Sequence, residues 1–348
     1  MNAPRRILVI RLSAIGDIVM ASPLVHALRR RYPEAHIAWV VQPESRALLV
    51  DHPELDEVIV WPRNEWRQLI RGKRFLALWR HIREFRKALR ARGFDLAIDL
   101  QGLFKSGLLA WLSGAKERVG LGSREGSQCF MTRVVPKGGR PELIGSEYRF
   151  LADKLGLPTD DFCMRVGIGD EAARSADKLR KAHVADRPYA VICPFTTRPQ
   201  KHWFNEHWAA LVPRLREELG LEVIMLGGPG DRAAARAVAE SADVVDLVGE
   251  TGLQEAAAVI RDAELVVGVD TGLTHMGHAF DRPTVCLFGS TCPYLDTGTE
   301  NGRVIYHDLE CAPCKRNPTC EGAFTCMRGI TPAEVMATAR EILEAEKA

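Results

Sequence analysis

Residues 6–17 read RILVIRLSAIGD. This is an apolar run of strand length that stops at a small polar turn and then enters a segment with helical spacing, from about residue 18 to 31. A strand covered on both faces reads as a nearly continuous apolar run, and parallel strands are covered that way because their crossover helices lie on the sheet. The same unit recurs along the chain. HIAWVVQP at 36–43, VIVWP at 58–62 and DLAIDLQG at 95–102 supply further strands, with a long basic helical stretch at about 75–91 before the last of them. A mixed segment at about 137–169, with Pro141, Pro158, Asp160 and Asp161, separates a second series. That series runs YAVICPF at 189–195, a helix at about 206–219, EVIMLGG at 222–228, a helix from Arg232, VVDLVG at 244–249, ELVVGVD at 264–270 and TVCLFGS at 284–290. The alternation predicts an α/β protein with two Rossmann-like parallel-sheet domains, at 1–165 and 166–330. A C-terminal helix within 331–348 is free to cap either domain, including a return onto the N-terminal one.

Composition narrows the classes. The chain has 348 residues, 46% hydrophobic and 26% charged, enough to bury two cores. Its 47 Lys and Arg against 45 Asp and Glu leave no global field of the kind that nucleic-acid binders use, so a nucleic-acid partner is not expected. No apolar run approaches the roughly 20 residues that span a bilayer, and the first apolar stretch is short, which predicts neither a membrane span nor secretion. Nine Cys are too sparse and uneven for a disulfide scaffold and read as reduced thiols in a cytoplasmic protein.

Ligands of open parallel sheets lie outside the carboxyl ends of the strands, so the loops after strands are the candidate sites. In SAIGD at 13–17, Asp17 is either a helix cap or a general base at the tip of the first strand. The loop has neither the G-x-G-x-x-G nor the G-x-x-x-x-G-K-[ST] pattern. In TTRPQKHW at 196–203, Thr196, Thr197 and Lys201 fit a diphosphate clamp; the alternative is a solvated basic loop with Trp203 and Trp208 packing the next helix. LGGPGD at 226–231 ends in Asp231, an acceptor for ribose hydroxyls or a helix cap.

The strongest pattern is VVGVDTGLTHMGHA at 266–279. A buried strand ends in Asp270, and Thr271, Gly272 and Leu273 open a helix whose amides and dipole suit an anion. His275 and His278 are three apart, without a third ligand at a diagnostic metal spacing. Residues 60–95 carry 11 Lys and Arg against three acids, together with Trp61, Trp66 and Trp79. There Arg63, Arg67, Arg71, Lys73 and Arg74 suit an anionic membrane or a phosphorylated lipid, unless the helix face is simply solvated. Cys311, Cys314, Cys320 and Cys326, spaced C-x2-C-x5-C-x5-C, offer either a structural zinc site or free thiols in a long loop.

In their order along the chain these motifs resemble the heptosyltransferases of glycosyltransferase family 9, in particular the heptosyltransferase I branch of lipopolysaccharide inner-core synthesis. The anchors are ILVIRLSAIGDIVMASP at 7–23, IDLQGLFKS at 98–106, TTRPQKHWFNEHW at 196–208, LGGPGD, and VVGVDTGLTHMGHAFDRPTVCLFGST at 266–291. The resemblance covers nearly the whole chain. It implies a GT-B architecture with two domains facing a cleft, no cofactor, no catalytic metal, and inversion at the anomeric carbon.

Carried over, Asp17 matches the catalytic carboxylate, Lys201 the diphosphate-binding lysine, Asp231 a ribose-binding carboxylate, and Asp270 to His275 the nucleotide-diphosphate loop. Gly16, Gln101, Lys105 and Arg124 fall at positions facing the acceptor. The implied donor is ADP-L-glycero-D-manno-heptose and the implied acceptor a Kdo residue of Kdo-lipid A. The implied location is peripheral, on the cytoplasmic face of the inner membrane. Asp231 stands where the resemblance leads one to expect Glu, and the four-Cys segment is absent from the best-known enterobacterial members. Three other readings remain: heptosyltransferase II or another core glycosyltransferase, a nucleotide-sugar binding protein without turnover, and a sugar-nucleotide epimerase.

Overall fold

A computed structural model describes residues 3–291 and 293–347. The chain divides into two compact units, Met1–Arg140 with Gly145–Gly167, and Pro141–Ile144 with Ile168–Ala348.

The first unit holds one six-stranded parallel sheet of β1 (Arg6–Ile10), β2 (His36–Val41), β3 (Glu57–Val60), β4 (Leu96–Asp99), β5 (Glu117–Leu121) and β6 (Arg133–Val135). Their spatial order is β3-β2-β1-β4-β5-β6. Leu8 lies level with Ala38 on one side and Ala97 on the other, which puts the end of β1 at the centre of the sheet. Ile7 to Ile10 are wholly buried, as expected of a strand covered on both faces.

Around this sheet run α1 (Ile15–Ala21), α2 (Pro23–Arg31), α3 (Arg63–Arg71), α4 (Phe75–Ala91), α5 (Phe104–Ser113) and α6 (Ser146–Lys154). The helix expected over about 18–31 is two helices that part at Ser22 and Pro23. A proline has no N–H to continue the ladder but suits the first turn of a new helix.

The second unit repeats the plan with β7 (Tyr189–Cys193), β8 (Glu222–Met225), β9 (Val245–Asp246), β10 (Leu265–Val269), β11 (Thr284–Phe288) and β12 (Gly302–Tyr306), ordered β12-β11-β10-β7-β8-β9 and all parallel. Its helices are α7 (Asp170–Val184), α8 (Asn205–Leu219), α9 (Arg232–Ala239), α10 (Leu253–Arg261), α11 (Gly272–Ala279), α12 (Thr325–Gly329) and α13 (Pro332–Lys347). The C-terminal helix α13 belongs to this unit. It lies on α8 and the β11–β12 edge, because Val335, Met336, Ala339 and Ile342 form an apolar stripe buried in this unit's core. Residues 141–144 join the same unit through a bridge from Leu143 to Asp296.

Candidate active site

The loops that follow β1, β3, β4 and β5 in the first unit carry the residues singled out around Asp17. Asp17 lies in the first turn of α1, where its Oδ2 accepts from the Ala14 N–H at 3.0 Å and pairs with Arg11 Nη2 at 2.6 Å. The capping role is therefore real, and it uses one oxygen only. Arg11 is buried, donates from Nη1 to the Leu100 carbonyl at 3.0 Å, and its backbone carbonyl accepts from Trp39 Nε1 at 3.0 Å. A guanidinium fixed at both ends holds the carboxylate in one orientation.

Beside this pair, Gln101 accepts the Leu12 N–H on its Oε1 at 3.0 Å, and Arg63 donates to Gln42 Oε1 at 3.1 Å. Lys105 opens α5, and its ammonium is held below the ordinary lysine range, first by desolvation and then by the nearby positive charge of Arg63. Arg124 is exposed, with its backbone N–H bonded to the Gly102 carbonyl at 2.9 Å. Gly16 sits within α1. Of these cations Arg11 pairs with Asp17, and the charges of Arg63 and Arg11 both act on Lys105. Arg67, Arg71, Lys73 and Arg74 stand exposed further on, along α3 and its junction with α4.

The turn after β4 is built by Asp99, whose role sequence reasoning missed. Its carboxylate accepts from the N–H groups of Gln101 (2.9 Å) and Gly102 (3.1 Å) and from Ser106 Oγ (3.0 Å). Burial pushes its pKa up to about 6 against those bonds. Gly102 is required there: its φ is +64°, and a Cβ would meet the Leu121 carbonyl oxygen at 2.6 Å.

In the second unit the nucleotide-type loops converge on Asp270 at the end of β10. Lys201 Nζ meets Asp270 Oδ2 at 2.5 Å, His275 Nε2 lies 3.2 Å from Oδ1, and Thr291 Oγ1 donates to Oδ2 at 2.7 Å. Burial alone would raise the Asp270 pKa, but the bonds and charges of His275 and Lys201 win and hold it far below the carboxylate range. The tight entry into α11 depends on Gly268, where a Cβ would meet Thr274 Oγ1 at 2.1 Å. That hydroxyl turns back to cap the Val269 carbonyl at 2.8 Å.

Thr271 is the N-cap of α11, so Gly272 and Leu273 lie in the first turn, where N–H groups have no intrahelical acceptor. Thr196 is fixed through its carbonyl, which accepts from His202 Nε2 at 2.8 Å, and Thr197 is exposed. Trp203 and Trp208 pack the core edge to face at 4.7 Å. Asp231 caps its own turn, its Oδ2 accepting the Gly228 N–H at 2.9 Å. His278 is buried, with its pKa pushed down to about 3 by desolvation and then by His275.

Cys311, Cys314, Cys320 and Cys326 lie in the run that leads into α12, where Cys326 feels the charges of the other three. Among the described residues no three His, Cys, Asp or Glu side chains are grouped to hold a metal ion. Cys311, Cys314, Cys320 and Cys326 are free thiols, and burial raises Cys314 and Cys326 toward the protonated form. Their run is closed by backbone bonds, Lys315 N–H to the Ser290 carbonyl and Ala323 N–H to the Cys320 carbonyl.

Two parallel-sheet units with charged loops at the strand ends define a nucleotide-binding type of α/β protein, and comparison with known proteins makes the class specific. The family model of glycosyltransferase family 9 (heptosyltransferase) matches residues 82–324, and the chain belongs to that family. Lipopolysaccharide heptosyltransferase 1 of Pseudomonas aeruginosa is 30% identical over 327 residues, 90% of this chain and 87% of that protein. Among solved structures, the Escherichia coli ADP-heptose lipopolysaccharide heptosyltransferase II is similar at a TM-score of 0.77, with 26% identity over 99% of this chain and 100% of that one. The E. coli heptosyltransferase WaaC with ADP-2-deoxy-2-fluoro heptose is similar at 0.72, with 25% identity over 97% and 99%. The protein is a glycosyltransferase, a heptosyltransferase of lipopolysaccharide core synthesis.

Proposed function

We propose that the protein transfers a heptose from ADP-L-glycero-D-manno-heptose to a Kdo residue of Kdo-lipid A, with inversion, in one displacement. The observation that carries the reading is the carboxylate of Asp17. Both bonds it makes fall on Oδ2, which leaves Oδ1 to accept the proton of an acceptor hydroxyl. As that proton passes to Oδ1, the hydroxyl oxygen forms its bond to the anomeric carbon. The bond from that carbon to the diphosphate oxygen breaks on the opposite face, and ADP leaves with the electron pair.

Arg63, Lys105 and Arg124, with Gln101 and the backbone at Gly16, hold the acidic acceptor. On the donor side, Lys201 shares its ammonium between Asp270 and the diphosphate. The N–H groups of Thr271, Gly272 and Leu273 and the hydroxyls of Thr196 and Thr197 stabilise the charge that grows on it. Asp231 receives the ribose hydroxyls, and His275 fixes Asp270. This set of cations and amides does for the leaving group what a divalent metal does elsewhere, so the reaction needs no cofactor. A lipid-borne acceptor places the enzyme on the cytoplasmic face of the inner membrane.

The TTR-x-x-K-HW run supports the first-heptose branch, and the likeness to the E. coli heptosyltransferase II supports the second. An acceptor panel separates them. Purified protein with ADP-heptose is offered Kdo-lipid A and, separately, the same lipid already bearing one heptose. A mass gain of one heptose on the first acceptor alone is expected. A gain confined to the second assigns the protein to the other branch, and no gain on either overturns the substrate assignment.

A further inference from the structure

The basic stretch is not uniform once folded. Trp61 and Trp66 are core residues, 8% and 7% exposed, stacked edge to face with each other, and Trp66 stacks likewise with Phe85. Trp79 is 61% exposed, and it is joined at the surface by Ile70 (52%), Phe75 (62%) and Leu76 (85%). Residues 70–76, IRGKRFL, are exposed without interruption and form the junction of α3 and α4.

The placement follows from helical periodicity. In α4, Leu78, Ile82, Phe85 and Leu89 recur at intervals of three and four and pack on the first unit's core. Leu76 and Trp79 turn away from that stripe, and Phe75, in line with it in the first turn, stands exposed, so the N-terminal end of the helix presents a second apolar patch. Along that outer side, the Arg83 guanidinium lies 5.4 Å from the Trp79 ring centre, and Arg86 lies 5.3 Å from that of Trp111, which is 41% exposed on α5. Arg67, Arg71, Lys73, Arg74, Lys87 and Arg90 surround them, all exposed. Residues 60–95 hold 11 cations against three acids, in a chain whose totals are 47 and 45.

We infer that this outer face of the α3–α4 hairpin docks on an anionic phospholipid bilayer, with Phe75, Leu76 and Trp79 entering the headgroup and acyl boundary. The charge is complementary to acidic headgroups, and the exposed apolar side chains have the composition of an interfacial anchor: an apolar wedge, Trp at its edge, and Arg and Lys around it. No helix among the described residues is long and apolar enough to cross a membrane, so the contact is interfacial. Nucleic acid is the less fitting partner, because Leu76 and Phe75 offer nothing to a phosphate backbone. The inference stands apart from the transfer chemistry and is tested without substrate.

The full-length protein is sedimented with vesicles of phosphatidylglycerol and phosphatidylethanolamine, or of phosphatidylcholine alone, at two salt concentrations. Binding to the anionic vesicles only is expected, weakened but not abolished by salt. Leu76→Asp and, separately, Phe75→Asp should each weaken it about tenfold, at a melting temperature equal to wild type because both side chains stand in water. Quenching of Trp fluorescence by brominated lipid should fall in Trp79→Phe. Absence of vesicle binding at low salt overturns the inference, whether or not single-stranded RNA is bound instead. Binding that neither Asp variant weakens overturns the apolar insertion.

Discussion

Lys201 and Asp270 meet at 2.5 Å with side chains only 15% and 14% exposed, so neither charge is well hydrated and each depends on the other. Removing the ammonium leaves a half-shielded carboxylate with His275 and Thr291 as its remaining partners. Lys201→Ala should therefore cost roughly 2 kcal/mol of stability, in addition to weakening ADP-heptose binding. Because the Asp270 pKa is depressed in the fold, the stability it contributes is present above the ordinary carboxylate range and is lost as pH falls through and below it. The double variant Lys201→Ala, Asp270→Asn should regain most of the stability without regaining donor affinity. Urea unfolding and calorimetric titration with ADP-heptose read the two quantities separately. Recovery of affinity in the double variant would mean that Lys201 serves Asp270 alone and not the diphosphate.

At the scale of elements, the turn from β4 into α5 is held by one buried carboxylate. The Asp99 pKa stands at about 6 against an ordinary 3.8, so the folded protein keeps a proton that the unfolded chain releases. Stability from this group is complete below about pH 4 and declines as pH rises through 6, by up to roughly 3 kcal/mol. Asp99→Asn should remove that decline, seen as urea midpoints that fall less between pH 4 and pH 7 than in wild type. An unchanged pH trend would contradict the assignment.

Elements of this kind were legible to different degrees. The central strands read directly from their apolar runs, because burial on both faces leaves no polar alternation. β5, β6 and β12 carry Glu117, Arg118, Arg133 and Arg303 among few apolar residues, and so gave no such run. Asp17, Lys201 and Asp270 stood out in the sequence because each lies in a loop or turn that follows a strand. Arg11 and Thr291 did not, since their roles arise from which loops the sheet order makes neighbours. Trp61, Trp66 and Trp79 read alike as a string, and only the fold sorts Trp61, just after β3, and Trp66, on α3, into the core.

At the scale of the molecule, two sheets of the same plan divide the work. The first unit carries Asp17 with its partner Arg11, and the second carries Asp270 with its partner Lys201, with α13 completing its core. Family membership gives heptosyl transfer; in the proposed mechanism Asp17 takes the acceptor proton while cations and amides replace a metal at the leaving group. The most direct measurement is transfer from ADP-heptose to Kdo-lipid A in excess chelator, followed by mass spectrometry, with Asp17→Ala beside wild type. Wild type should add one heptose at an undiminished rate in chelator, and Asp17→Ala should be slower by about 10²–10⁴ with donor affinity unchanged. Transfer by Asp17→Ala at near wild-type rate, or wild-type transfer abolished by chelator, would contradict it.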